Sequence, residues 1–314
     1  MATKALIIGG TRFLGIAIAE AFLRKGGYDL HIMNRGTRPK TASAVRQIIC
    51  DKTDRAEFAK VLKNGWDIII DTILNDEDLR FVVDTIGSDV GHFIHTGSIG
   101  VYGAAQKIPA SESDPLCDCR GEAGRDIVFD YKIRQDRVIL QAFQEIRFPC
   151  TIMRESNICG PGDIPLDGWG GRNIEFFKML RDGKKISLPA DGRALLHPGD
   201  VRDLGRAFLH AVERPKISIG QVYNVCGDYA LMMRDYVGLL AEAMGVKADI
   251  EYVPFSDVVT KYGGLVNEFG MRFAGQHMCA SIEKAARDLD WHPEIPLKVS
   301  LRENIEWMEA KGLI

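Results

Sequence analysis

The chain has 314 residues, enough for one large core or for a domain with a smaller lobe attached, because single cores stop growing at roughly 250 to 300 residues. Forty basic against 43 acidic side chains leave a net charge of -3, which argues against the strongly basic surface that non-specific nucleic-acid binding requires and leaves only a local basic patch open. No apolar stretch approaches the roughly 18 residues of a membrane span, and Met1 to Gly10 lacks the apolar core and cleavage site of a secretory signal, so a soluble, cytoplasmic protein is expected.

The first element is the apolar run Ala5-Leu6-Ile7-Ile8, read as a buried strand. Directly after it stands Gly9-Gly10-Thr11-Arg12-Phe13-Leu14-Gly15, and directly after that a helical pattern from Ile16 to Lys25, stopped by Gly26-Gly27. A strand ending in glycines lets the backbone approach a pyrophosphate, and the following helix points unpaired N–H groups and its positive dipole end at that anion. The run therefore reads as a dinucleotide-binding turn, with Arg12 where the commoner fingerprint has a third glycine.

Further apolar runs follow at Leu30 to Met33, Val45 to Cys50, Asp67 to Asp71 and His92 to His95, then a helix from Tyr131 to Glu145 and a strand at Cys150 to Met153. Runs apolar throughout, rather than alternating, suit a parallel sheet covered on both faces. The expected fold is α/β, a Rossmann-type doubly wound parallel sheet with a smaller C-terminal substrate lobe. Residues 1–160 are assigned to the dinucleotide-binding domain and 161–314 mainly to the substrate lobe, interleaved with the first by a strand returning near 221–227. The seven cysteines read as reduced structural thiols: Cys117 and Cys119 form a Cys-x-Cys without the second pair a zinc site would need, so no metal is expected.

The second strand ends Met33-Asn34-Arg35-Gly36, with no carboxylate to bind both ribose hydroxyls. Arg12, Arg35 and Arg38 are within reach of one phosphate, and guanidinium groups grip phosphate in a bidentate way, which favours NADP, with NAD as the alternative. The competing reading makes Arg35 and Arg38 solvated loop charges. Asp51 either accepts a hydrogen bond from the adenine amino group or opens the turn Asp51-Lys52-Thr53-Asp54.

Several landmarks then agree in order along nearly the whole chain: the glycine run, Asp51, Ser98-Ile99-Gly100-Val101-Tyr102-Gly103, Tyr131, Arg154 to Gly162 and Arg193 to Asp200. With them the chain resembles the extended and atypical short-chain dehydrogenase/reductase superfamily, in its NAD(P)-dependent epimerase/dehydratase branch. The resemblance implies that Ser98 hydrogen-bonds the reacting oxygen, that Tyr131 is the general acid/base, and that Asn157 and Arg193 touch a substrate diphosphate. Loop capping beside Gly160 and an ion pair of Arg193 with Asp200 or Asp203 are the bland alternatives. It also implies a lysine four residues after the tyrosine, where this chain has Gln135. That spacing keeps both side chains on one helix face but loses the charge, and a phenol with an ordinary pKa of about 10 is a poor base at neutral pH without a nearby cation. Lys132, about 100 degrees away round the helix, is not expected to replace it; Arg134 is the nearest candidate to supply the charge, and the competing, stronger reading makes it simply a surface residue.

Hydride transfer to or from a carbonyl or hydroxyl carbon, of a substrate such as a nucleotide sugar, is the function these features suggest. A non-catalytic cofactor-binding regulator is the alternative that Gln135 supports. RNA binding is the third, because the resemblance extends to chloroplast stem-loop RNA-binding relatives, although the net charge opposes it. A homodimer is what the resemblance implies.

Overall fold

A computed structural model describes residues 2–38, 42–117 and 130–314. Cys119 of the Cys-x-Cys pair lies outside the described residues. The N-terminal half alternates strand and helix: β1 (Thr3–Ile8), α1 (Phe13–Lys25), β2 (Tyr28–Asn34), β3 (Arg46–Ile49), α2 (Arg55–Leu62), β4 (Ile68–Asp71), α3 (Asp76–Ile86), β5 (His92–Ser98), a 3-10 turn (Ile99–Tyr102), α4 (Asp130–Ile146) and β6 (Cys150–Glu155). Except in β3, whose Ile49 is 70% exposed, the strands' apolar runs are buried on both faces, as helices on either side of a parallel sheet require.

Beyond this the rhythm changes to short pieces: β7 (Ile158–Cys159), α5 (Ile174–Arg181), β8 (Ile186–Pro189), β9 (Leu195–Leu196) and β10 (Gly199–Asp200). Then come α6 (Val201–Glu213), α7 (Pro215–Ser218), β11 (Gln221–Val225), β12 (Leu231–Met232), α8 (Met233–Ala243) and β13 (Ile250–Val253). Helices α9 (Phe255–Tyr262), α10 (Glu268–Ala274), α11 (Glu283–Leu289) and α12 (Leu297–Ala310) complete it.

The main sheet has seven strands in the order β11-β6-β5-β4-β1-β2-β3, and every neighbouring pair is parallel. The order reverses between β1 and β4, so the carboxyl ends of these strands open a crevice there, the place where doubly wound sheets hold ligands. One face is packed by α1 and α6 with Trp291 and Leu289, the other by α2, α3 and α4. Thus α6, β11 and α11, although late in the chain, belong to the packing of the sheet. A separate core joins Trp169, Phe176, Phe177, Tyr236, Leu240 and Met308, contributed by chain beyond residue 158 alone.

Within that second body the loop after β7 meets the first turn of α10 at a point with no space for side chains. A Cβ on Gly170, whose φ is +76°, would lie 1.9 Å from the Met271 nitrogen, and one on Gly270 would lie 1.9 Å from the Gly170 carbonyl oxygen. Only two glycines permit this approach. Asp167 braces the loop after β7 by accepting from the backbone N–H groups of Trp169, Gly171 and Asn173 at 2.7–2.8 Å.

Candidate active site

The glycine turn is built by contact. Gly9 has φ +97°, and a Cβ there would fall 2.4 Å from Thr72 Oγ1; a Cβ on Gly15 would fall 2.6 Å from the Gly9 carbonyl oxygen. Any side chain at Gly15 would drive α1 away from the turn. Arg12 stands at the N-cap of α1 without a side-chain capping bond, and no acidic residue occupies the first turn, so the helix start keeps its N–H donors and positive field available to an anion.

A cleft of about 780 Å³ runs from this turn along the strand ends, and Gly9, Thr11, Arg12, Phe13, Leu14, Gly15, Asn34, Arg35, Arg38 and Asp51 all line it. Lys52, Thr72, Thr96, Glu155 and Asp163 complete its wall. Asn34 Oδ1 accepts from the Gly36 N–H at 2.6 Å and from Gln47 Nε2 at 3.0 Å, so its carbonyl holds the loop that carries the arginines, while its buried Nδ2 has no partner. Asp51 Oδ1 accepts from both the backbone N–H and the hydroxyl of Thr53 at 2.9 Å. Those bonds, aided by the Arg35 charge, hold its carboxyl below the usual carboxylate range. It shapes the turn and lines the cleft at once. The residues present fit a dinucleotide: a glycine cradle at a helix start, three guanidinium groups, and an orphaned buried amide at the ribose position.

A second cavity of about 320 Å³ adjoins, lined by Gly97, Ser98, Tyr131, Lys132, Glu155, Ser156, Asn157, Arg172 and, from the distal body, Gly170, Gly270, Phe273 and Met278. Ser98 Oγ accepts from the Gly100 N–H at 3.1 Å, capping the 3-10 turn, and a hydroxyl that accepts retains its hydrogen to donate. Asn157 is anchored through its backbone carbonyl, which accepts from Gly199 at 3.0 Å, while its buried side-chain Oδ1 has no partner. Tyr131 is 45% exposed; partial burial and the Glu155 charge push its phenol up.

Two expectations change here, those for Gln135 and Lys132, while Arg134 follows its surface reading. Gln135 is 3% exposed and donates through Nε2 to the Leu74 carbonyl at 2.8 Å; it lines neither cavity, because the face of α4 that carries it packs on the β4–α3 connection. Arg134 lies on the outer surface, ion-paired to Asp130 and, at 3.1 Å, to Asp76, so it supplies no charge to Tyr131. Lys132, set aside on helical angle, is the cation that α4 brings to the second cavity. Its four-carbon stem brings Nζ to the Thr96 carbonyl at 2.7 Å, between the two cavities. Its signal was available as the one lysine in the α4 segment. Four positions before it stands Val128, outside the described residues, so neither register places a tyrosine four residues ahead of a lysine.

Glu155 was also missed. It is the last residue of β6, opposite Ser98 in register, and it lines both cavities. Its Oε2 is sealed and has no hydrogen-bond partner; burial pushes its carboxyl up to about 8, with the Lys132 charge opposing. A charge ending an apolar strand is the sequence signal that would have found it. Arg193, by contrast, is not beside Asn157. It lines a third cavity of about 330 Å³ with Asp191, Met233, Phe255 and Arg272, which shares Ala274 with the second. Its ion partner is Asp191 at 3.6 Å, whereas Asp200 pairs with Arg202 and Asp203 with Arg206.

A profile of the NAD dependent epimerase/dehydratase family matches residues 5–76 and 81–226, well over half the chain. The chain belongs to that family. Among its curated relatives is the chloroplast stem-loop binding protein of 41 kDa b of Arabidopsis thaliana, 26% identical over 98% of this chain and 80% of that protein. The dTDP-glucose 4,6-dehydratase of Streptomyces antibioticus is 28% identical, over 69% of this chain but only 57% of its own length. Among solved structures, UDP-glucuronic acid 4-epimerase from Bacillus cereus, in complex with UDP-glucuronic acid and NAD, superposes with a TM-score of 0.77 at 17% identity, covering 98% of this chain and all of that one. At such identity the likeness establishes the fold. Within the epimerase/dehydratase family, this member places its glycine turn, Ser98 and Lys132 around one crevice. Among its described residues no helix is long and apolar enough to cross a membrane.

Proposed function

We propose that the protein is an NADP-dependent epimerase, dehydratase or reductase that moves a hydride to or from a carbinol carbon of a nucleotide-sugar-like substrate. The observation that carries this reading is the adjoining pair of cavities at the switch point of the sheet, sharing Glu155 as a wall. The family membership and the sugar-nucleotide names of several relatives support the substrate class. Residues 1–160 serve mainly the cofactor and 161–314 mainly the substrate, in a soluble, cytoplasmic homodimer.

Arg12, Arg35 and Arg38 hold the phosphates, the last two taking the 2'-phosphate that distinguishes NADP. When bound, the nicotinamide supplies a two-electron hydride acceptor or donor. Ser98 donates to the substrate oxygen, Asn157 orients the substrate, and Lys132 supplies the positive charge that Gln135 does not. The raised phenol of Tyr131 keeps its proton and acts as a donor. Arg193, in the third cavity, holds the far end of an extended substrate.

Fluorescence titration tests the cofactor assignment. NADPH should bind more tightly than NADH, and Arg35→Ala with Arg38→Ala should weaken NADPH about tenfold or more while leaving NADH unchanged, as loss of charge-assisted bonds requires. Equal binding of both cofactors before and after would overturn it. Turnover of UDP-glucose, UDP-glucuronic acid and dTDP-glucose, followed by product analysis, tests the reaction; NADPH binding without turnover of any of them favours the regulatory alternative.

A second reading, RNA binding, has one observation in its favour: the relative that spans 98% of this chain is named for binding a stem-loop. Retention of a stem-loop RNA on a filter at physiological salt, weakening steeply as salt rises, would favour it over the first.

A further inference from the structure

We propose that Glu155 is the carboxylate that takes up the substrate's hydroxyl proton as the cofactor is reduced and returns it in the reverse step. This rests on the dinucleotide-dependent function proposed above and assigns the proton acceptor that function lacks, since Tyr131 is a poor base. In the forward step the carbinol C–H bond breaks and its hydride, carrying two electrons, passes to the oxidised nicotinamide. The O–H bond breaks, its electron pair closing the C=O bond, and its proton forms a new O–H bond on the Glu155 carboxylate. The products are the carbonyl, the reduced cofactor and neutral Glu155.

The geometry singles out this residue. Glu155 is the one carboxylate that lines both the glycine-turn cleft and the Ser98 cavity among the described residues. It stands opposite Ser98 across the β5–β6 register, so a group reaching from one cavity to the other passes it. Its Oε2 is sealed from water without a partner, a costly arrangement for an ionised group that a proton or a cationic neighbour relieves. Tyr131 and Lys132 from α4, Arg12, Arg35, Arg38, Cys50, Asp51 and Lys52 from the cleft, and Asp163 and Arg172 from the loop after β7 are the titratable or charged side chains that share its cavities. The neighbouring strands contribute Ser98 and Val225, which do not titrate. A carboxyl that burial raises to about 8 gains and loses its proton near neutral pH.

An oxidised nicotinamide carries a positive charge and its reduced form does not, so the two forms must disagree about the charge they prefer on Glu155. The test is the ratio of the dissociation constants of NADP+ and NADPH, and in parallel of NAD+ and NADH, from about pH 6 to about pH 10. An opposite charge within a few ångströms shifts a carboxyl by about one unit or more. The oxidised form should therefore gain about tenfold on the reduced form as pH rises through the Glu155 transition. In Glu155→Gln the ratio should be flat. In Lys132→Met, which keeps the carboxylate and removes the cation beside it, the transition should move to higher pH. A ratio without pH dependence in the unaltered protein, the same slope in Glu155→Gln, or an unmoved transition in Lys132→Met overturns the role of Glu155 while leaving dinucleotide binding standing. Failure of all four cofactors to bind the unaltered protein overturns the function itself, and this assignment with it.

Discussion

His92, the first residue of β5, is buried at 3% exposure. Its Nε2 lies 2.8 Å from Thr151 Oγ1, and because the threonine hydroxyl already donates to the Ser218 carbonyl at 2.6 Å, the imidazole must be the donor. Burial pushes its pKa down to about 4, and His197 is lowered by the same cause. The unfolded chain binds that proton near pH 6.5 and the folded one does not. The associated stability is therefore complete above about pH 6.5 and lost as pH falls toward 4, at up to about 1.4 kcal/mol per pH unit for one site. Urea unfolding at about pH 7.5 and pH 5 should show a loss of about 2 kcal/mol from His92, and His92→Gln should remove that part. An identical decline in both proteins would exclude His92 as its source. The positions of Gly9, Asn34, Asp51 and Ser98 at the strand ends were legible because each follows its strand in order; the position of Lys132 was not, because its angle on the helix was weighed and the reach of its stem was not.

At the scale of elements, α4 is held on β6 by a charge pair sealed from water. Arg154 Nε donates to Asp136 Oδ2 at 2.8 Å with side chains 2% and 0% exposed. Arg154 Nη1 donates to the Tyr102 hydroxyl at 2.7 Å, which donates in turn to Asn224 Oδ1 at 2.8 Å. The chain of bonds joins α4, β6, the 3-10 turn and β11, and so fixes where Tyr131 and Lys132 stand. Asp136→Asn leaves a buried guanidinium uncompensated and should cost about 3–5 kcal/mol in chemical denaturation, whereas Asp136→Leu combined with Arg154→Met should recover most of it. If the single variant costs less than about 1 kcal/mol, the pair does not anchor the helix. The strands β1 to β6 and the helices α1 and α4 were legible from apolar runs and helical period, but β2, β5 and β6 run past the expected ends. β5 extends to Ser98 and β6 to Glu155 because Thr96, Gly97 and Ser98 pair with Met153, Arg154 and Glu155. Polarity rises where a strand leaves the covered interior for the crevice, so a purely apolar criterion stops short of the residues that line it.

For the whole molecule, the doubly wound sheet could be read from the order of apolar runs, and so could the return of chain near 221–227, which is β11 beside β6. The placement of Arg193 in a cavity apart from Asn157 could not, because it depends on how short strands pack and not on any local pattern. The back-to-back glycines of the loop after β7 and of α10 carry a consequence for heredity. Gly170 and Gly270 stand a hundred positions apart in the chain, yet each occupies the volume the other's side chain would need. A cavity walled in this way cannot be remodelled one segment at a time. A hybrid that takes residues 160–173 from a relative with a larger side chain at the position of Gly170, while retaining residues 263–280, should lose its cooperative thermal unfolding transition, and transplanting both segments together should restore it. Such segments would have to diversify as a pair, so that new specificity in this lineage would arise by exchange of matched segments more readily than by single substitutions.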